Sequence, residues 1–182
     1  MEQSQAIKTR DMAYIGLFAV LITICSWLSI PTTVPFTLQT FAVFCTEGLL
    51  GGKRGTLSVL VYILMGAVGL PVFSGFRGGI GALLGTTGGY IVGFLFSTAV
   101  YWAITKFFGT KTRVVFLAML AGLLLLYAFG TAWFMLVYAR TTGEIGLYTA
   151  LAWCVLPFIV PDLLKMALAI AVMKRLSKYL KL

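Results

Sequence analysis

The sequence predicts an all-α, polytopic membrane protein: six transmembrane helices, an outer re-entrant glycine-rich loop, and both termini cytoplasmic. Three observations predict it. First, hydrophobic residues make up 60% of the 182-residue chain and charged ones 10%, with a mean hydropathy of +1.02. That composition is incompatible with a water-soluble surface. Second, six apolar runs alternate with short connections, and a span needs about 20 residues. Residues 1–182 therefore form a single transmembrane domain with no room for a soluble one. Third, the cations are distributed unevenly. Lys8, Arg10, Lys53, Arg54, Lys106, Lys111, Arg113, Lys174, Arg175, Lys178 and Lys181 fall on one face, Arg77 and Arg140 on the other, and Lys165 lies within the membrane. An excess of lysine and arginine marks the cytoplasmic side. The net charge of +9 is thereby explained by topology and lipid headgroups, and nucleic-acid binding is not expected.

The elements follow in order. The polar start, Met1 to Arg10, precedes an apolar run with no small-residue cleavage pattern, so Met12 to Ile30 reads as a first span rather than a signal peptide. Thr33 to Leu50 and Thr56 to Leu70 are the second and third spans, separated by Lys53 and Arg54. The segment from Gly69 to Gly89, GLPVFSGFRGGIGALLGTTGG, is too rich in glycine to be a plain helix and too apolar to be a solvated loop. A loop folded back into the protein fits, because irregular backbone at membrane depth must be buried by protein or line a cavity. Its amides offer a polar lining. Gly81, Gly85, Gly89 and Gly93 recur every fourth residue and predict a small-residue stripe on the fourth helix, Gly88 to Phe107. For the later glycines close packing is the first reading; for Gly75, Gly78 and Gly79, upstream of regular helix, ligand contact comes first. Val114 to Tyr138 is the fifth span. The sixth, Thr149 to Met173, contains Pro157 and Pro161. Proline is tolerated in a first helical turn, so the helix proper is expected to start near Pro157, with Leu147 to Leu156 as a separate short element.

Asp162 and Lys165 lie inside that last run, where a charge costs roughly 2.5 to 3.5 kcal/mol even on lenient scales. At about 1.5 Å per residue they fall roughly 8 and 12 Å below the helix start, on one face. Such a pair either locks helices together or faces a cavity or pathway, and membrane proteins favour the second. Other chemistry is poorly represented. Cys25, Cys45 and Cys154 sit in apolar runs at unrelated spacings, and the chain has no histidine. No metal site, cofactor or serine–histidine nucleophile is expected. There is no GxxxxGK[ST] phosphate loop, so any ATP-driven movement needs another protein to supply the energy.

Four segments carry a resemblance: VPFTLQTFAV at Val34 to Val43, GTLSVLVYILMGAVGLPVFSGFRGG at Gly55 to Gly79, TGGYIVGF at Thr87 to Phe94, and PFIVPDLLKMALA at Pro157 to Ala169. Together they resemble BioY, the biotin-specific substrate-binding (S) components of energy-coupling factor (ECF) transporters. The resemblance implies a multi-pass subunit of the cell membrane that binds biotin and works with a transmembrane coupling protein and two ATPase subunits. It implies no enzyme activity. Biotin offers two ureido N–H donors, one carbonyl, an apolar body and a carboxylate. Asp162 suits the N–H groups, Lys165 the carbonyl or carboxylate, and Arg77 the carboxylate at the mouth. Ser74, Gly78 and Gly79 complete the polar set, Gln39 lines the site, and Tyr90, Trp133 and Tyr138 serve the apolar body. Ala13, Gly16 and Ala19 on the first helix are the expected docking residues for the coupling protein. Two other classes stay open at this stage. A stand-alone secondary transporter would use Asp162 as a proton carrier, and an intramembrane enzyme would have little acid–base equipment beyond the same pair.

Overall fold

A computed structural model of the chain describes residues 8–176. Met1 to Ile7, and Lys178 and Lys181 of the charge count, lie outside the described residues. The chain is mostly helical: α1 (Thr9–Trp27), α2 (Gln39–Ala67), α3 (Ile80–Leu84), α4 (Gly88–Phe108), α5 (Thr112–Thr141), α6 (Leu147–Cys154) and α7 (Leu156–Leu176). Between α1 and α2 stands a ribbon that the all-α expectation did not include. Its two-residue strands β1 (Ser29–Ile30) and β2 (Phe36–Thr37) pair antiparallel, Ser29 opposite Thr37 and Ile30 opposite Phe36. Pro31 and Pro35 keep the intervening turn from continuing either helix.

On α1, Ile15, Phe18, Ala19 and Ile22 are buried, while Met12, Leu17, Val20 and Ile24 are exposed although equally apolar. A helix that is hydrophobic on its outer face as well as its inner one belongs in lipid. Among the described residues, four helices are long and apolar enough to cross a membrane: Thr9–Trp27, Gly88–Phe108, Thr112–Thr141 and Leu147–Leu176, the last taken through the α6–α7 junction.

The residues expected to form the second and third spans form α2, which is broken at Gly51 with φ 76° and ψ 174° and is not among those four helices. Side chains disfavour that conformation; glycine does not. The break reverses the chain. Gln39 Nε2 donates to the Tyr62 hydroxyl at 3.2 Å across 23 residues, a separation of about 35 Å on a straight helix. Limbs 39–50 and 52–67 therefore lie side by side. Gly48 packs on Met173 of α7 and Gly52 on Trp102 of α4, so the Gly51 turn shares one end of the bundle with the ends of those helices. Asp11 of α1 joins them there through its 3.1 Å ion pair with Arg54.

The glycine-rich segment does fold back. Val72 and Phe73 are buried, and the Phe73 ring lies directly over Gly66, where any Cβ would collide with it. Ser26 donates to the Val72 carbonyl at 2.6 Å and Trp27 Nε1 to the Pro71 carbonyl at 2.8 Å, tying the loop to the end of α1. The predicted glycine stripe is shorter than expected, because α4 begins only at Gly88 and leaves Gly81 and Gly85 off that helix. Gly89 and Gly93 do admit α5, packing on Trp133 and Leu126. The last span divides as expected, with the break at Val155 and α7 starting one residue before Pro157.

Glu47 is fully buried in the first limb of α2, and neither carboxyl oxygen has a hydrogen-bond partner among the described residues. A buried polar group left unsatisfied costs about 1–3 kcal/mol. Glu47→Met is expected to raise stability by about that amount, seen as a higher thermal-unfolding midpoint in detergent. A lower midpoint would reveal a partner for the carboxyl.

Candidate functional site

The ion pair sits at the focus of four elements. From α7, Asp162 and Lys165 project on one face and are 2% and 8% exposed. Lys165 Nζ lies 2.8 Å from Asp162 Oδ1. The start of α2 brings Thr40, whose hydroxyl donates to Asp162 Oδ1 at 2.9 Å and accepts from Lys165 at 3.0 Å. From β2 come the Thr37 carbonyl, which accepts from Lys165 at 2.8 Å, and the Phe36 ring, whose centroid is 4.4 Å from the ammonium. Tyr127 of α5 donates to Asp162 Oδ2 at 2.7 Å.

Counting these bonds assigns different capacities to the two charges. An ammonium has three donors and no more. Those of Lys165 are taken by Thr37, Thr40 and Asp162. An ionised carboxylate has about four acceptor positions, and three are filled. Asp162 keeps one acceptor position, on Oδ2. The arrangement thus combines a saturated cation with an anion that can still take one N–H.

Above the pair opens a cavity whose lining includes both Asp162 and Lys165. Its walls are mainly apolar and aromatic, with Phe73, Tyr90, Phe94 and Phe158 among them, and Asp162, Lys165, Gln39, Thr87, Ser74 and Arg77 supply polar groups. Phe158 is stacked against Phe36 at 5.6 Å. Tyr90 has its hydroxyl engaged by Thr131 at 2.9 Å and therefore offers chiefly its ring. The Gln39 amide uses one donor on Tyr62; its carbonyl oxygen has no described partner. Arg77 is exposed at the loop, where mutual Phe73–Arg77 backbone bonds close a tight turn and Arg77 Nε donates to the Ser74 carbonyl at 3.1 Å. Its four other N–H donors have no described protein acceptor.

Of the residues singled out from sequence, the structure brings Asp162, Lys165, Arg77, Ser74, Gln39 and Tyr90 around this one cavity. It does not bring Gly78, Gly79, Trp133 or Tyr138 to the lining. Gly78 is pressed against the Leu70 carbonyl, and Gly79 donates its N–H to the Gly66 carbonyl at 2.7 Å, so both shape the loop. Trp133 donates to the Gly85 carbonyl at 3.0 Å and packs on Gly89. Tyr138 stacks on Phe134 and meets Trp153 edge-on. On α1, Ala13 is exposed and Gly16 half-buried with open space beside it, but Ala19 is completely buried within the chain. A three-residue step on a helix turns by about 300°, which carries Ala19 off the surface shared by the other two.

Sequence reasoning missed Thr40, Tyr127 and Phe158. Tyr127 had a signal: it is the lone polar group of the run Leu123 to Ala128, and a phenol among leucines needs a hydrogen-bond partner. Tyr127→Phe is expected to destabilise the fold by about 1.5–3 kcal/mol, the range for a hydrogen bond to a charged group. Thermal unfolding of the purified variant would measure this, and an unchanged midpoint would remove the hydroxyl as a support of the carboxylate.

The chain matches the BioY family model over residues 1–182. It is 39% identical over 172 residues to the probable biotin transporter BioY of Pyrococcus horikoshii, covering 94% of this chain and 98% of that one. Similarity to the biotin transporter BioY of Thermotoga maritima is 38% over 171 residues, covering 93% and 96%. In structure it resembles the S-component for biotin from an ECF-type ABC transporter, with a TM-score of 0.83, 29% sequence identity, and coverage of 98% of this chain and 95% of that chain.

Proposed function

The chain belongs to the BioY family, transporters rather than enzymes, and from that membership we propose that it captures biotin as the S component of an ATP-driven importer. Six spans carry the site: α1, the two limbs of α2, α4, α5 and α7. The termini are cytoplasmic, the cavity opens outward, and the host is the cell membrane. The eleven cations grouped by sequence on one face support this orientation.

The observation that carries the substrate assignment is the unequal filling of the ion pair beneath an aromatic cavity. Biotin enters with its ureido ring down. One ureido N–H meets the open position on Asp162 Oδ2, and the other meets the Gln39 carbonyl oxygen. The apolar body lies against Phe73, Tyr90 and Phe158. Arg77, with Ser74 beside it, meets the carboxylate at the mouth, where a guanidinium forms paired bonds to a carboxylate. Lys165 positions Asp162 rather than touching the ligand.

Release needs partners: a transmembrane coupling protein and two ATPase subunits. The exposed strip of α1 bearing Ala13 and Gly16 is the docking surface on this chain. The test of the reading is a mass spectrum of small molecules freed by denaturing the purified protein. Biotin at about one equivalent is expected after growth with biotin, and its absence from protein that also fails to bind added biotin would overturn the assignment.

A further inference from the structure

Between the start of α5 and the end of α7 runs a groove lined by Thr112, Arg113, Phe116, Leu117, Ala167 and Ile170. The first four form one stripe of α5, since residues four apart share a helix face; the last two form a stripe of α7. Tyr127 and Asp162 join the same two helices at 2.7 Å, but Tyr127 lies about 20 Å along α5 from Arg113. Near Arg113, Ala167 is the smallest side chain on the α7 wall and leaves a notch. Phe116 and Leu117 remain 39% and 58% exposed beside it.

The walls are apolar and the mouth is cationic. Arg113 stands there, exposed, next to the exposed Lys111. No described acid stands at the mouth. Asp11 pairs with Arg54 and Asp162 with Lys165, Glu47 is buried inside α2, and Glu144 follows the far end of α5.

An apolar slot beneath an exposed arginine has the chemistry of an acyl chain beneath an anionic headgroup. We propose that this groove is a binding site for one anionic phospholipid of the adjoining leaflet, its phosphate at Arg113 and an acyl chain in the notch at Ala167. The inference rests on the reading of α5 and α7 as membrane spans. It does not depend on biotin.

The test is native mass spectrometry of the full chain in detergent with equal phosphatidylglycerol and phosphatidylcholine of identical acyl chains. Phosphatidylglycerol adducts are expected to exceed phosphatidylcholine adducts by about fivefold or more, and Arg113→Gln to reduce that preference by about fivefold. Ala167→Leu, which fills the notch at an exposed position, is expected to reduce both adducts. Equal occupancy by the two lipids, a preference that survives Arg113→Gln, or adducts indifferent to Ala167→Leu would overturn the proposal. Biotin retention is read in the same samples. Retained biotin with no lipid selectivity sinks the groove alone, whereas loss of biotin binding from the unmodified protein sinks the functional reading instead.

Discussion

Asp162→Asn is expected to weaken biotin binding by more than about tenfold and to lower stability as well. The substitution keeps the shape and removes both the charge and half of the acceptor capacity. An amide has one accepting oxygen where a carboxylate has two, yet Thr40, Lys165 and Tyr127 all donate toward this position. With three donors competing for one oxygen, none of its acceptor positions is left for a ureido N–H. Lys165 meanwhile becomes a buried cation, 8% exposed, without its counter-ion; breaking a buried pair from one side costs about 3–5 kcal/mol. Titration calorimetry on the purified variant measures the first effect and thermal unfolding the second. Unchanged affinity would remove Asp162 from the ligand's contacts, whatever happened to the midpoint.

The same region shows what could be read from sequence and what could not. Asp162 and Lys165 were conspicuous because a charge in an apolar run has a large energy attached to it, and the start of their helix followed from proline's missing N–H. The Gly51 reversal was implicit in the placement of Lys53 and Arg54 between two apolar runs. Trp133 and Tyr138 were assigned to the ligand because aromatic rings suit an apolar body, but rings suit helix packing equally well. Only the partners decide: the Gly85 carbonyl for one and Phe134 for the other. Thr40 and Tyr127 carried a weaker signal still. Their importance comes from meeting Asp162 across 122 and 35 residues, and a pairing at that separation is a property of tertiary packing. The order in which a buried network fills its donors and acceptors is likewise absent from a linear sequence. That order separates the roles of the two charges.

Lys165→Met tests this separation, and its expected effect is nearly as large. The thioether preserves most of the lysine stem's volume while removing three donors, so Asp162 keeps Thr40 and Tyr127 but loses its counter-charge and its fixed orientation. Biotin affinity is expected to fall by about tenfold or more. A fall alone does not distinguish a positioning lysine from one that grips the ligand, but the methyl ester of biotin does. If Lys165 met the carboxylate, the ester would already have lost that contact, and the variant would bind acid and ester alike. If Lys165 acts through Asp162, both ligands should weaken by the same factor and their ratio should persist. The complementary change, Arg77→Gln, should leave ester binding nearly intact and collapse the preference for the acid, because the four unengaged donors of Arg77 are at the mouth and not at the base. Competition binding of acid and ester against both variants therefore reads the two cations independently. A collapsed ratio in Lys165→Met with a preserved ratio in Arg77→Gln would reverse the proposed orientation of biotin in the cavity.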